Sequence, residues 1–391
     1  MNIHLSAPLL SKSGYGVHSR QIYLILEKYC MQNNYNLTIN SIGWGNTGWY
    51  LHEDTLGGLT KRILSNLKSP EVTDLHVIVS IPNEFANSWG VKAKKTIGIT
   101  AGIEATECSK DWKNFINVPS LNKCIVPSQF AKNTMVNGGC SASKISVVPE
   151  AYFEDCLNEP SDFDLKDIPD KNILSVSSVM LDHKMDRKNF RNQILAAEKG
   201  LKTFNGEVGL LLKLNSVGRG SVDKYNTIES LKNIIRTLGI SIPVTLIHGE
   251  LEDEKMRDLY KHPKVSAYFS MTRGEGFGLP LLEAAACGLP IIASNWSAHP
   301  EFLEDKFIPI EGKEVPIPKE KIDGKIWVGG NWFEPSIDDA SSKIVRFFSD
   351  EKFRQDAMDN ASALQKIVKN RYSLSSIERE LTVIVDGVLK R

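Results

Sequence analysis

Short runs of Val, Ile and Leu alternate with helical stretches along nearly the whole chain, and this alternation restricts the fold more than any other feature. In the first half, strands are expected near residues 2–6, 37–43, 75–81, 96–100, 123–126 and 145–148; in the second half, near 173–177, 208–214, 244–248, 267–271 and 291–294. These runs lack a polar residue at every second position, as strands covered on both faces do. Helical patterns fall between them, at 17–28, 128–136, 189–201, 227–238, 252–260 and 336–348. The order predicts an α/β fold with parallel sheets. It breaks once, over the acidic, proline-containing stretch 154–171, which suits an interdomain linker. A chain of 391 residues accommodates two domains. The expected division is 1–165 and 166–372. A last helix, 373–391, has no strand after it, and its apolar positions Leu374, Ile377, Leu381, Ile384 and Val388 recur at helical spacing and require burial.

The chemistry concentrates in Glu275-Gly276-Phe277-Gly278-Leu279-Pro280-Leu281-Leu282-Glu283. A β-like run precedes this segment, and a helix stopped by Gly288-Leu289-Pro290 follows it. Glu275 therefore belongs to a loop at a strand's carboxyl end, and Glu283 to the helix behind it. Gly276 and Gly278 let backbone approach a ligand. The N–H groups of the helix start can hold an anion or a sugar hydroxyl. A carboxylate one or two turns in can accept hydrogen bonds from a diol such as ribose. Together these parts suit a nucleotide-linked sugar.

Composition narrows the alternatives. Lys plus Arg (47) equals Asp plus Glu (47), so no global field draws the chain to nucleic acid or membrane. Six cysteines show no C-x-x-C and no Cys/His cluster, which points to a reduced, cytoplasmic protein without structural metal. No apolar run reaches the roughly 20 residues of a membrane span, and the amino terminus lacks the basic head and apolar core of a secretion signal. Asp162-Phe163-Asp164 has the spacing of an Asp-x-Asp metal motif but falls in the linker, where solvated acids are the expectation. No metal site is expected.

The segment 275–283 continues into Ala284-Ala285-Ala286-Cys287-Gly288-Leu289-Pro290-Ile291-Ile292-Ala293-Ser294, and together they resemble the retaining GT-B glycosyltransferases of family 4, also called glycosyl transferases group 1. Gly14-Tyr15-Gly16, Val126-Pro127-Ser128, Arg187-Lys188-Asn189 and Leu211-Leu212-Lys213 agree with the family in order. The resemblance is strong over 170–345 and thin over 1–120. It implies two Rossmann-like domains with parallel sheets facing a central cleft, the donor nucleotide on the second domain, and the last helix crossing back onto the first. It places Glu275 by the donor sugar and Glu283 on the ribose. Gly276, Phe277, Gly278 and Leu279 would supply backbone donors, and the loop of His248, Gly249, Glu250 and Leu251 would pack on the base. Arg187, Lys188 and Lys213 would form the diphosphate clamp, with Lys184 competing for the lysine role. Gly14, Tyr15, Gly16, His18 and Glu104 are acceptor-side candidates. The chain departs from the family where many relatives carry Gly-Arg and it has Ser178-Val179, and where many have histidine and it has Glu104.

The implied reaction is metal-independent, retaining transfer of a hexosyl or pentosyl group from a nucleotide-diphosphate sugar, such as a UDP- or GDP-sugar, with no further cofactor. The acceptor is expected to be a glycan; a modified base of viral DNA is the alternative, which zero net charge disfavours. Two other classes compete. A Rossmann oxidoreductase would read Gly14-x-Gly16, but position 19 is Ser19 and no acid ends the second strand. A non-catalytic sugar-binding protein of the same fold would be signalled by loss of one acid of the pair, and both are present.

Overall fold

The computed structural model describes residues 1–45, 47–87, 90–179, 186–216, 220–324 and 326–390; Lys184 lies outside them. The chain divides into two compact units. One comprises Met1–Ala151, Lys319–Gly330 and Leu374–Arg391, the other Tyr152–Pro318 and Asn331–Ser373.

In unit 1, strands β1 (Asn2–Ala7), β2 (Asn36–Ser41), β3 (Val72–Val79), β4 (Lys92–Ile99), β5 (Lys123–Val126) and β6 (Ile145–Val147) form a parallel sheet in the order β2-β1-β3-β4-β5-β6. The order reverses between β1 and β3, and open α/β sheets bind ligands outside the carboxyl ends of the strands at such a point. Helix α1 (Gly14–Asn33) begins there. The Ser13 hydroxyl caps it by accepting the Gly16 N–H. Gly16 cannot be replaced, because a Cβ would lie 1.9 Å from the Ser11 carbonyl oxygen. Shorter helices α2 (Leu59–Ser65), α3 (Trp112–Ile116) and α4 (Gln129–Asn137) complete the layers.

The C-terminal helix, Leu374–Leu389, belongs to this unit and packs on α1. Ile377, Leu381, Val385 and Val388 are buried in one cluster with Ile22, Leu26 and Tyr29. Leu374 and Ile384 only border that cluster, and Val385 takes the central place. The Tyr29 hydroxyl donates to Asp386 and Lys28 pairs with Glu378 at 2.7 Å.

Unit 2 has β7 (Lys171–Val179), α5 (Phe190–Leu201), β8 (Val208–Ser216), α6 (Gly220–Leu238), β9 (Val244–His248), α7 (Asp253–Tyr260), β10 (Val265–Ser270), α8 (Leu279–Ala286), β11 (Ile291–Ser294), α9 (His299–Leu303) and β12 (Ile308–Ile310). Its parallel sheet runs β12-β11-β10-β7-β8-β9, the Rossmann order, with the reversal between β7 and β10. An antiparallel pair, β13 (Gly312–Pro316) with β14 (Asn331–Pro335), follows, then helices α10 (Ile337–Ser349) and α11 (Glu351–Arg371). The stretch 154–171 is no free linker. Cys156 is fully buried, and Ser161 donates from its backbone N–H and its hydroxyl to Asp258 at 2.9 and 2.6 Å, so the division falls at Ala151 and Tyr152 rather than at 165. Asp162 and Asp164 are exposed. All six cysteines are buried free thiols.

Placing a charge among the buried apolar groups of the C-terminal helix costs several kcal/mol. Val385→Asp is expected to destabilise the protein by about 3 kcal/mol or more, while Lys28→Ala, at an exposed pair, should cost under about 1 kcal/mol. Urea denaturation of both variants checks this; equal midpoints would contradict the packing.

Candidate donor site at the strand-order reversal

The carboxyl ends of β7 and β10 carry the loops that hold the strongest charge cluster of unit 2. After β7 come Asp186, Arg187, Lys188 and Asn189; after β10 come Arg273, Gly274 and Glu275. Glu275 is 8% exposed, and both cations reach it: Arg187 Nη1 lies 2.7 Å from Oε2 and Lys188 Nζ 2.6 Å from Oε1. Burial alone would raise the Glu275 pKa. The fields of Arg187 and Lys188 outweigh it and hold the carboxyl at about 2, so it is ionised.

Further bonds fix the two loops to each other. Arg187 Nη1 donates to the Gly274 carbonyl at 2.8 Å, and the Arg273 N–H donates to the Arg187 carbonyl at 2.7 Å. Buried Arg273 is itself clamped by Glu334 of β14, which also accepts from Asn192 of α5 at 2.9 Å. The Glu275 N–H donates to the Ser297 hydroxyl at 3.1 Å. Arg187 is thus held in place by backbone as well as by the acid.

Gly278 starts α8 with φ +115°, a conformation that side chains avoid. Behind it stands fully buried His299. The His299 Nδ1–H donates to the Ser294 carbonyl at 3.1 Å, and a Cβ on residue 278 would come 3.3 Å from Nε2. Burial lowers the His299 pKa, so the ring is neutral and Nε2 is an acceptor with no hydrogen-bond partner. Phe277 turns inward, 5.1 Å from the Phe302 ring and 6.2 Å from that of Tyr372, so only its backbone remains for a ligand. Leu279 is half-buried at the helix start. Gly288, at φ +79°, ends the helix: its own N–H and that of Leu289 turn back to the Ala285 and Ala284 carbonyls, both at 3.0 Å.

Glu283 lies on α8 beside α7 and β8. Tyr260 of α7 donates to it at 3.0 Å, and Lys213 of β8 faces it. Burial first, then the Asp253 carboxylate, push its pKa up to about 8 against the pull of Tyr260 and Lys213. Lys213, 8% exposed, has its own pKa lowered by burial and supported by Glu250 and Glu283. The buried Tyr268 phenol feels both Glu283 and Glu275, which places the two acids around one strand, β10. Gly249, at φ +105°, closes β9 by donating to the Leu214 carbonyl at 3.0 Å, with exposed Glu250 and half-buried Leu251 after it. His248 donates to Asp223 of α6 at 3.0 Å.

Residues 185–363, somewhat under half of the chain, match the model of the family described as glycosyl transferases group 1. This part of the chain is similar to that family. O-antigen chain mannosyltransferase B of Escherichia coli is 37% identical over 67 residues, a match that spans only 17% of this chain and 17% of that protein. Among solved structures, a glycosyltransferase from Rickettsia africae superimposes with a TM-score of 0.64 at 17% identity, covering 100% of this chain and 99% of the other. HepE of Anabaena, in complex with UDP and glucose, gives 0.61 at 14% identity, covering 99% and 100%. These likenesses show the fold: GT-B, with two Rossmann-like α/β domains.

Of the candidate residues, Arg187, Lys188 and Glu275 form one cluster, and Lys213, Glu250 and Glu283 a second that shares Tyr268 with it. Gly14, Tyr15, Gly16, His18 and Glu104 belong to unit 1. Tyr15 feels the charges of Glu104 and Glu150, but His18 is buried, with Nδ1 3.3 Å from Glu150, and its pKa is pushed by burial down to about 4. Arg20 is structural, donating to the Leu9 and Ser11 carbonyls at 3.0 Å. The sequence reading omitted Arg273, Ser297, Tyr260 and His299. Of these only His299, just before a proline at a helix start, carried any local signal.

The two acids should respond oppositely to pH. The folded protein keeps a proton on Glu283 that an unfolded chain releases near 4.5, so this group lowers stability as pH rises from about 4.5 to about 8. Glu275 contributes stability above its ordinary value of 4.5, lost as pH falls towards about 2. Glu283→Gln should therefore raise the melting temperature at pH 8, and Glu275→Gln should lower it at pH 7. Thermal melts across pH 5–9 that show shifts of the same sign would contradict the assignment.

Proposed function

We propose that the chain is a retaining glycosyltransferase that moves a sugar from a nucleoside-diphosphate sugar to a hydroxyl of a glycan. The observation that carries this reading is the grip of Arg187 and Lys188 on Glu275 at the carboxyl ends of β7 and β10, eight positions before Glu283. Two fixed cations beside a turn that opens a helix suit a diphosphate, and a carboxylate on that turn suits the sugar attached to it. Glu283, with Tyr260 and Lys213 around it, suits the ribose diol. The complexes of Anabaena HepE with UDP and glucose, and with UDP-glucose, support a donor of this class. The cytoplasm is the compartment that fits six free thiols.

In the proposed reaction the bond from sugar C1 to the diphosphate oxygen breaks, and its electron pair leaves with the nucleoside diphosphate. Arg187, Lys188 and Lys213 meet the growing charge; Glu275 stabilises positive charge at C1. The acceptor oxygen bonds to C1 on the face the leaving group departs, and its proton passes to a phosphate oxygen. The configuration at C1 is retained and no protein nucleophile is consumed. The backbone N–H groups of Gly276–Leu279 orient the donor, so catalysis rests on positioning and electrostatics. With these cations on the diphosphate, no metal is needed to neutralise it.

Ribose contacts persist from ground state to transition state, whereas charge at C1 appears only in the latter. Glu283→Ala is expected to raise the donor KM by about 10–100-fold with kcat little changed. Glu275→Ala should lower kcat by about 100–1,000-fold. Wild-type turnover should survive chelator. Wild-type constants in both variants would overturn the site; loss of activity in chelator, restored by Mg²⁺ or Mn²⁺, would overturn the cationic clamp.

A further inference from the structure

Four separate segments of unit 1 bring aromatic rings and a carboxylate together at the carboxyl ends of its strands. Tyr15, at the start of α1, follows β1; Trp44 follows β2; Glu104 follows β4. The fourth segment is the excursion between β13 and β14, whose residues Lys319–Gly330 belong to unit 1. Tyr15 is locked in place: its oxygen accepts the Ala101 N–H at 2.9 Å and its hydroxyl lies 3.0 Å from that of Thr100. The Trp44 ring stacks on it with centroids 3.8 Å apart. Trp327 Nε1 donates to Glu104 Oε2 at 3.3 Å. Tyr15 lies within the electrostatic reach of Glu104.

The Trp327 loop has a defined shape. The Asp323 carboxylate accepts the N–H groups of Ile326 and Trp327 at 2.9 and 3.0 Å, and the Trp327 carbonyl accepts those of Asp323 and Gly324. Gly330, at φ +76°, lies so close to the Glu104 loop that a Cβ would meet Thr106 Oγ1 at 2.8 Å and the Glu107 backbone nitrogen at 2.9 Å. These bonds present Trp327 at a fixed height beside Glu104, and both side chains, like Trp44, remain partly exposed.

We propose that Trp44, Glu104 and Trp327 form a subsite for a saccharide acceptor; this deepens the glycosyltransferase reading and rests on it. Indole faces stack on the apolar C–H faces of a sugar ring while their N–H groups serve polar neighbours. A carboxylate beside the Trp327 indole accepts hydrogen bonds from hydroxyls. The same rings could stack nucleobases, but the Glu104 carboxylate beside Trp327 repels a phosphate. The geometry selects a neutral, hydroxyl-rich chain.

Saturation-transfer NMR on the full chain, with mannotriose, maltotriose, chitotriose and a single-stranded hexanucleotide as separate probes, tests this. The wild type should bind at least one triose. Trp327→Ala and Trp44→Ala should each weaken that triose by about tenfold or more. Trp327→Phe should restore most of the affinity, because a ring remains, and the melting temperature should not move. UDP binding, read in the same samples, reports the donor reading separately and should be equal in all variants. Binding of no triose by the wild type, wild-type affinity in both alanine variants, or binding of the hexanucleotide in place of a triose would overturn the subsite.

Discussion

One buried carboxylate, Glu275, organises the loops at the carboxyl ends of β7 and β10. It is ionised because Arg187 and Lys188, both half-buried, reach it together. The arrangement exists because the sheet reverses its order between β7 and β10, so two loops emerge side by side. The Arg273–Glu334 pair and the bonds from Arg187 and Arg273 to opposing backbone then fix the distance between those loops. On the proposed reading, the diphosphate competes with Glu275 for the same cations, and the acid it displaces is left facing the sugar.

Glu283 answers to a different environment eight positions on. Among the described residues no ion pair holds it as Arg187 and Lys188 hold Glu275, and burial first, then Asp253, push its pKa up to about 8. A neutral carboxyl can both donate to and accept from a diol, which suits binding rather than charge stabilisation. Two glutamates in one short segment thereby take opposite pKa shifts from their surroundings. His299 explains the glycine between them: the buried ring closes the space a side chain at 278 would need.

The strands were the most legible part of the sequence. The runs at 123–126 and 291–294 coincide with β5 and β11, because buried parallel strands are continuous apolar runs flanked by turns, and the run at 244–248 coincides with the half-buried edge strand β9. The short β12 and the polar, exposed β13 have no such signal, and the long helix α11 carries its few buried residues, Ala357, Ala361, Leu364 and Val368, among many charges. Within the site, Glu275 and Glu283 could be read because the residues between them form a recognisable turn and helix. Arg273 could not, since a loop arginine looks like a solvated cation until Glu334 is placed 2.7 Å away. Trp327 was equally hidden: it lies 223 positions from Glu104, and only folding brings them together.

The central claim is that Arg187 and Lys188 leave Glu275 for a diphosphate. Titration calorimetry of UDP and of uridine against the wild type and against the Arg187→Met/Lys188→Met double variant tests it most directly. Charge-assisted bonds of this kind are worth about 1.5–3 kcal/mol each, so UDP affinity should fall by about 100-fold or more in the double variant while uridine affinity stays as in the wild type. Equal UDP affinity in the two proteins, or a parallel loss for uridine, would contradict the claim.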